Sequence, residues 1–175
     1  MKQVSPKKIR LGVIGGSGLY QMQGARLLKE VRLRTPFGAP SDKISIADIE
    51  GISVAFLPRH GVGHRILPSE INFRANIYAL KMLGAERIIG VGATGSLKEE
   101  IGPKDLVIPD QLVDRTHARV STFFGQGLVA HVSMADPFCF NLRGILAVQG
   151  KKLGFPMHLG GVYVCMEGPG FSTKA

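Results

Sequence analysis

Three times in its first hundred residues this chain runs a short apolar segment straight into a loop of glycine and small or basic residues. IRLGVI (9–14) leads into Gly15-Gly16-Ser17-Gly18, ISVAFLP (52–58) into RHGVGH (59–64), and RIIGVG (87–92) into ATGSL (93–97). Short apolar runs bounded by such breakers read as buried strands. In an open α/β sheet, loops at the carboxyl ends of strands converge on a ligand. The loops 15–18, 59–64 and 92–96 are therefore candidates for one shared site.

The rest of the chain fits the same class. Residues 27–34 (LLKEVRLR) read as a further strand, and the Pro and Gly of TPFGAPSD (35–42) as a turn. KISIADI and ISVAFLP flank Glu50-Gly51 as a β-hairpin. Pro68-Ser69 opens a helix with Phe73, Ile77, Leu80 and Leu83 on one apolar face, stopped by Gly84. DLVIPD (105–110) is a strand, 111–130 a long loop, and a helix starts at Asp136 with Phe138, Leu142 and Ile145 on one face. GGVYVCM (160–166) is the last strand. Strands that are partly adjacent and partly separated by helices predict an α/β fold with a mixed, largely buried central sheet flanked by helices. The expectation is one domain over 1–175.

Composition narrows the function classes. Hydrophobic residues at 45% and charged residues at 20% are ordinary for a globular protein. The net charge of +9 raises a nucleic-acid partner, but its distribution argues against one. Residues 1–34 hold 8 of the 22 Lys and Arg against a single acid, Glu30, and the lone aromatic among them, Tyr20, makes no interleaved pattern for base stacking. No apolar run approaches the ~18 residues of a membrane helix. The apolar stretch after the basic N-terminus is interrupted by Gly15 and Gly16 before a secretory signal is complete. A cytoplasmic protein without nucleic-acid or membrane partners is expected. Cys139 and Cys165 have no metal-ligand spacing and read as buried free thiols.

The loops offer specific chemistry. Glycines let the peptide N–H groups of 15–18 turn inward as an anion nest, to which Ser17 adds a hydroxyl. The dinucleotide fingerprint fails because Gln21 stands where a third glycine belongs, and no Gly-Lys-Ser/Thr completes a P-loop. Alone, this loop fits a tight turn equally well. Arg59 carries a planar fork suited to phosphate oxygens. His60 and His64 lack the third ligand of a metal site, and taken alone they read as two loop histidines beside a surface arginine. Gly92, Ala93 and Gly95 permit close backbone approach, and Thr94 or Ser96 can donate. Glu99, Glu100 and Lys104 read as a solvated face.

Taken together, IGGSGLY, TPFGAPSD, FLPRHGVGHRILPSEINFRANIYALK, ATGSL, VIPDQLVDRT, STFFG, VAHVSMADPFC and MEGPGFST resemble the 5′-methylthioadenosine phosphorylase branch of the purine nucleoside phosphorylases, from about residue 10 to the end. The resemblance implies that the bound anion is inorganic phosphate acting as co-substrate. It attacks C1′ of 5′-methylthioadenosine to give adenine and 5-methylthioribose 1-phosphate, with no metal or organic cofactor. It further implies phosphate contacts at Ser17, Arg59, His60, Gly92 and Ala93, with Thr94 beside them. Met166 and Phe171 match the nucleoside pocket, Ser172 a position linked to substrate choice, and His131 a residue that reaches the neighbouring subunit's site, which implies a homotrimer or hexamer. Gly170 departs from the family's usual Arg in EGPRFS. The acidic residue that hydrogen-bonds the purine is expected beyond Ala175, so the chain reads as the N-terminal portion of the family's domain. Two alternatives stay open: a phosphorylase for methylthioinosine, inosine or guanosine, and a non-catalytic phosphate-binding chain.

Overall fold

Five hydrogen-bonded strands in the order β2-β3-β4-β1-β5 form the sheet of the first half of the chain. They are β1 (Leu11–Gly15), β2 (Arg26–Val31), β3 (Ile44–Ile49), β4 (Ile52–Pro58) and β5 (Arg87–Gly90). The computed structural model describes residues 8–16, 24–171 and 173, so Ser17 and Ser172 lie outside the described residues. Backbone packing gathers the chain into two units, Met1–Ala93 and Thr94–Ala175.

In the first unit the sheet is mixed, as expected. β2 and β4 both run antiparallel to β3. β1 runs parallel to β4 on one side and to β5 on the other. The β3–β4 hairpin turns at Glu50 (φ 49°) and Gly51 (φ 81°), and Asp48 accepts a hydrogen bond from the Gly51 N–H. Two left-handed residues match the right-handed twist of the flanking strands. β4 is buried from Ser53 to Pro58 because both of its faces are covered. Ile44, Ile46, Ala55 and Leu57 form one core with Ile9, Ala79 and Leu80; Val13, Ala47, Val54 and Phe56 form the other. β2 is an edge strand and is largely exposed.

Helix α1 (Phe73–Met82) differs from the sequence expectation at its start and in its buried face. Pro68–Glu70 is a separate 3₁₀ turn. Asn72 caps α1 by accepting from the Ala75 N–H at 3.1 Å. The buried residues are Ala75, Asn76, Ala79 and Leu80, while Ile77 is 38% exposed. The reason is close packing: a Cβ on Gly12 of β1 would lie 2.9 Å from Leu80 Cδ1, so small residues on both elements let the helix sink onto the strand. The helix ends as predicted at Gly84 (φ 94°). The Gly84 N–H donates to Lys81 O and the Ala85 N–H to Leu80 O, the paired bonds of a Schellman cap.

The second unit holds two parallel pairs, β6 (Leu106–Ile108) with β8 (Met157–Leu159), and β7 (Gln111–Arg115) with β9 (Val162–Met166). The expected loop 111–130 thus begins as a strand, because Gln111–Arg115 finds β9 as a long-range partner that local sequence does not reveal. Helix α2 is Phe140–Lys152, not a helix from Asp136, since Cys139 is extended at φ −63° and ψ 112°. Its contact with β8 runs through Gly150, where a Cβ would overlap Met157 Sδ. Ile145 is accordingly exposed, and Leu142 only half-buried. The two cysteines are free, but Cys139 is exposed and Cys165 half-buried, correcting the expectation of buried thiols. No helix among the described residues is long and apolar enough to cross a membrane.

The two faces of α1 should respond differently to truncation. Leu80→Ala is expected to cost about 2–5 kcal/mol in urea unfolding of the chain, and Ile77→Ala less than about 1 kcal/mol. Equal costs would contradict the packing described.

Candidate functional site

Parallel pairing sets the site. In register, Gly15 of β1 faces Pro58 of β4, and Ile14 faces Gly90 of β5. All three strands therefore release their loops at one edge of the sheet. Two bonds extend the ladder past the strand ends: the Arg59 N–H donates to Gly15 O at 2.9 Å and the Val91 N–H to Ile14 O at 2.8 Å. Gly15-Gly16, Arg59-His60 and Val91-Gly92-Ala93 are thus adjacent by construction. Ser17, the expected hydroxyl donor, lies outside the described residues. Thr94 is exposed and opens the second unit.

Arg59 is half-buried and crosses from β4 to the β5 loop. Its Nη1 donates to Val91 O at 3.5 Å, and a Cβ on Gly92 would lie 3.5 Å from both Nη1 and Nη2. A glycine at 92 lets the guanidinium lie close against the backbone. Among the described residues no carboxylate pairs with Arg59. Its fork thus keeps donors for an outside anion.

His60 has a defined role in that arrangement. Arg59 Nε donates to His60 Nε2 at 3.3 Å, which makes Nε2 an acceptor. The ring proton is then at Nδ1, which donates to Ile66 O at 2.8 Å. Both ring nitrogens are occupied, so the imidazole orients the arginine, and it stacks on His64 at 4.3 Å between centroids. Among the described residues no group of three or more His, Cys, Asp or Glu side chains could hold a metal ion. Ser96 closes a local turn with Lys98. Glu99, Glu100 and Lys104 are exposed, as a solvated face should be.

In the second unit, Met166 ends β9 and is 52% exposed, and Phe171 is fully exposed. His131 is exposed in the irregular segment between β7 and α2, and Ser172 lies outside the described residues. Gly170 has open space around it. The segment before Gly170 is held by a residue that sequence reasoning missed. Arg119 donates from Nε to Glu167 Oε1 at 3.3 Å and from Nη2 to Glu167 O at 2.8 Å and Met166 O at 3.3 Å. Glu167 in turn accepts from the His117 and Ala118 N–H groups at 2.6 and 3.1 Å. The register offers the missing signal: Arg115 pairs with Met166, so residues just past each strand end run side by side.

The strand-end geometry defines an α/β protein with a candidate anion site at the carboxyl edge of parallel strands. Residues 10–175 match the phosphorylase superfamily, and the chain belongs to that family. It is 54% identical over 166 residues to S-methyl-5′-thioadenosine phosphorylase of Geobacter sulfurreducens, covering 94% of this chain and 58% of that protein. It is 58% identical to the protein of the same name from Koribacter versatilis, covering 94% and 56%. A crystal structure of methylthioadenosine phosphorylase from an Antarctic soil metagenomic library superposes with a TM-score of 0.91 at 52% identity, over 95% of this chain and 60% of that one. Methylthioadenosine phosphorylase of Schistosoma mansoni gives 0.88 at 36% identity, over 95% and 66%. The chain spans about three-fifths of the length of these curated relatives.

The Ala118 and His117 N–H groups, helped by Arg119 and against the effect of burial, hold the Glu167 carboxyl below its ordinary value. A depressed folded value contributes stability above the unfolded titration near pH ~4.3, and that contribution is lost as pH falls through the folded value. Glu167→Gln should lower the Tm at pH 6–7, with the gap to wild type closing as the pH is taken below about 4. A gap that stays constant down to pH 2 would contradict the clamp.

Proposed function

We propose that the protein is a phosphorylase that splits 5′-methylthioadenosine with inorganic phosphate, giving adenine and 5-methylthioribose 1-phosphate. The observation that carries this reading is the Arg59 guanidinium lying against Gly92 at the shared edge of β4, β1 and β5. The names of its relatives support the substrate.

A phosphate oxygen attacks C1′ as the C1′–N9 bond breaks, the bonding pair leaves with the purine, and the proton that hydrogen phosphate gives up balances the one the purine takes. The sugar passes through an oxocarbenium-like state, whose positive charge is stabilised by an anion fixed beneath it. Holding the anion and sugar in line removes much of the entropic barrier. Arg59 binds two phosphate oxygens, His60 sets the plane of the guanidinium, and backbone at Gly15-Gly16 and Gly92-Ala93 approaches the anion, with Ser17 and Thr94 as hydroxyl donors. Met166, Phe171 and Ser172 take the nucleoside. His131 serves the site of a neighbouring subunit in a trimer or hexamer. Phosphate is the only co-substrate, no metal or organic cofactor takes part, and the enzyme works in the cytoplasm.

Adenine release from 5′-methylthioadenosine is expected to require orthophosphate. Arg59→Ala should raise the KM for phosphate by ~10-fold or more, since a charge-assisted bond contributes about 1.5–3 kcal/mol, and change the KM for nucleoside far less. Equal turnover without phosphate would overturn the proposal.

A further inference from the structure

The loop that presents Arg59 and His60 is conformationally demanding. Gly61, Gly63 and His64 adopt φ of 72°, 80° and 55°. The left-handed region disfavours a histidine, so such a residue persists only where its surroundings over-determine it. The loop closes on itself through Ile66 N–H to His60 O (3.0 Å) and His64 N–H to Gly61 O (3.2 Å). His60 Nδ1 to Ile66 O completes it, so displacement of the loop displaces His60, and through it Arg59.

What holds the loop from outside is the segment TPFGAPSD, which is anchored to helix α1. The Asn72 side-chain amide donates to Phe37 O at 2.7 Å. Asn76, only 2% exposed, accepts from the Ser41 N–H at 2.8 Å and donates to Ser41 Oγ at 2.9 Å. The next residue is Asp42. Its Oδ1 accepts from the Lys43 N–H at 2.8 Å, and its Oδ2 from the Val62 N–H at 2.9 Å and Arg65 Nη2 at 3.1 Å. Arg65 Nη2 also donates to Ser41 O at 2.8 Å, and its Nε would lie 3.0 Å from a Cβ on Gly61. The Asp42 side chain is 15% exposed whereas that of Arg65 is 57% exposed, so the carboxylate is the fixed partner.

We propose that Asp42 is a positioning residue for the phosphate site: it links buried Asn76 of α1 to the left-handed loop, and so sets the Arg59 fork without touching phosphate. This rests on the phosphorylase reading above. The carboxylate matters because its Oδ2 takes one peptide N–H and one guanidinium N–H while Oδ1 takes a second peptide N–H. An amide cannot match that charge, and an alanine satisfies none of them.

The test is orthophosphate binding to the chain, titrated by NMR, together with Tm, for wild type, Arg59→Ala, Asp42→Asn, Arg65→Gln and the double variant Asp42→Asn/Arg59→Ala. Asp42→Asn is expected to weaken phosphate binding by ~3–10-fold, and Arg65→Gln, whose fold is protected by its exposure, by ~2–3-fold. In the Arg59→Ala background, Asp42→Asn should weaken binding no further, although it still lowers Tm. A merely structural role would lower Tm in both backgrounds and leave phosphate affinity unchanged, and that result overturns the proposal. Additive losses in the double variant also overturn it, because Asp42 would then act other than through Arg59. If wild type binds no orthophosphate, or Arg59→Ala binds as well as wild type, the phosphorylase reading itself fails and this inference with it.

Discussion

Parallel pairing of β1 between β4 and β5 is the constraint on which the candidate site depends. Only parallel neighbours release their chains at one edge, and the ladder bonds from Arg59 and Val91 back to Gly15 and Ile14 carry that alignment one residue into the loops. The strand register, fixed by main-chain bonds, thereby fixes where a guanidinium and several glycine peptides stand. Side chains in the core serve this arrangement. Gly12 lets Leu80 and the small residues of α1 close over β1, and β4 is sealed on both faces.

The same helix has a second task. Its N-cap Asn72 and its buried Asn76 hold the 35–42 segment through their side-chain amides. A buried polar group is tolerated only when satisfied, and Asn76 is satisfied by the backbone and hydroxyl of Ser41. Core packing and loop geometry are therefore coupled through one helix: the face that stabilises the sheet also anchors the turn that reaches the loop after β4.

Much of this was legible in the sequence. The strand-to-loop junctions at 14–15, 58–59 and 90–92 marked the site's edge, and the mixed α/β class followed from the order of elements. The hairpin at Glu50-Gly51 and the stop at Gly84 were legible because turn chemistry is local. The buried face of α1 was not, because apolar size misled: Ile77 looks like core, yet Ala75 and Ala79 permit the closer approach. β7 and β8 are short and owe their existence to partners some 50 residues away. At the site, Arg59 was identifiable by its chemistry. The occupation of both His60 ring nitrogens was not, since it depends on Ile66 folding back onto His60. Arg119 was missed for the same reason: its partners lie 46–48 residues on.

The most direct measurement is a crystal structure of the protein grown or soaked with orthophosphate. A tetrahedral anion within about 3 Å of Arg59 Nη atoms and of peptide N–H groups at Gly16 or Gly92-Ala93 is predicted, with His60 Nε2 still accepting from Arg59 Nε. An Arg59 side chain turned to solvent, with the anion bound elsewhere or absent at saturating phosphate, would contradict it.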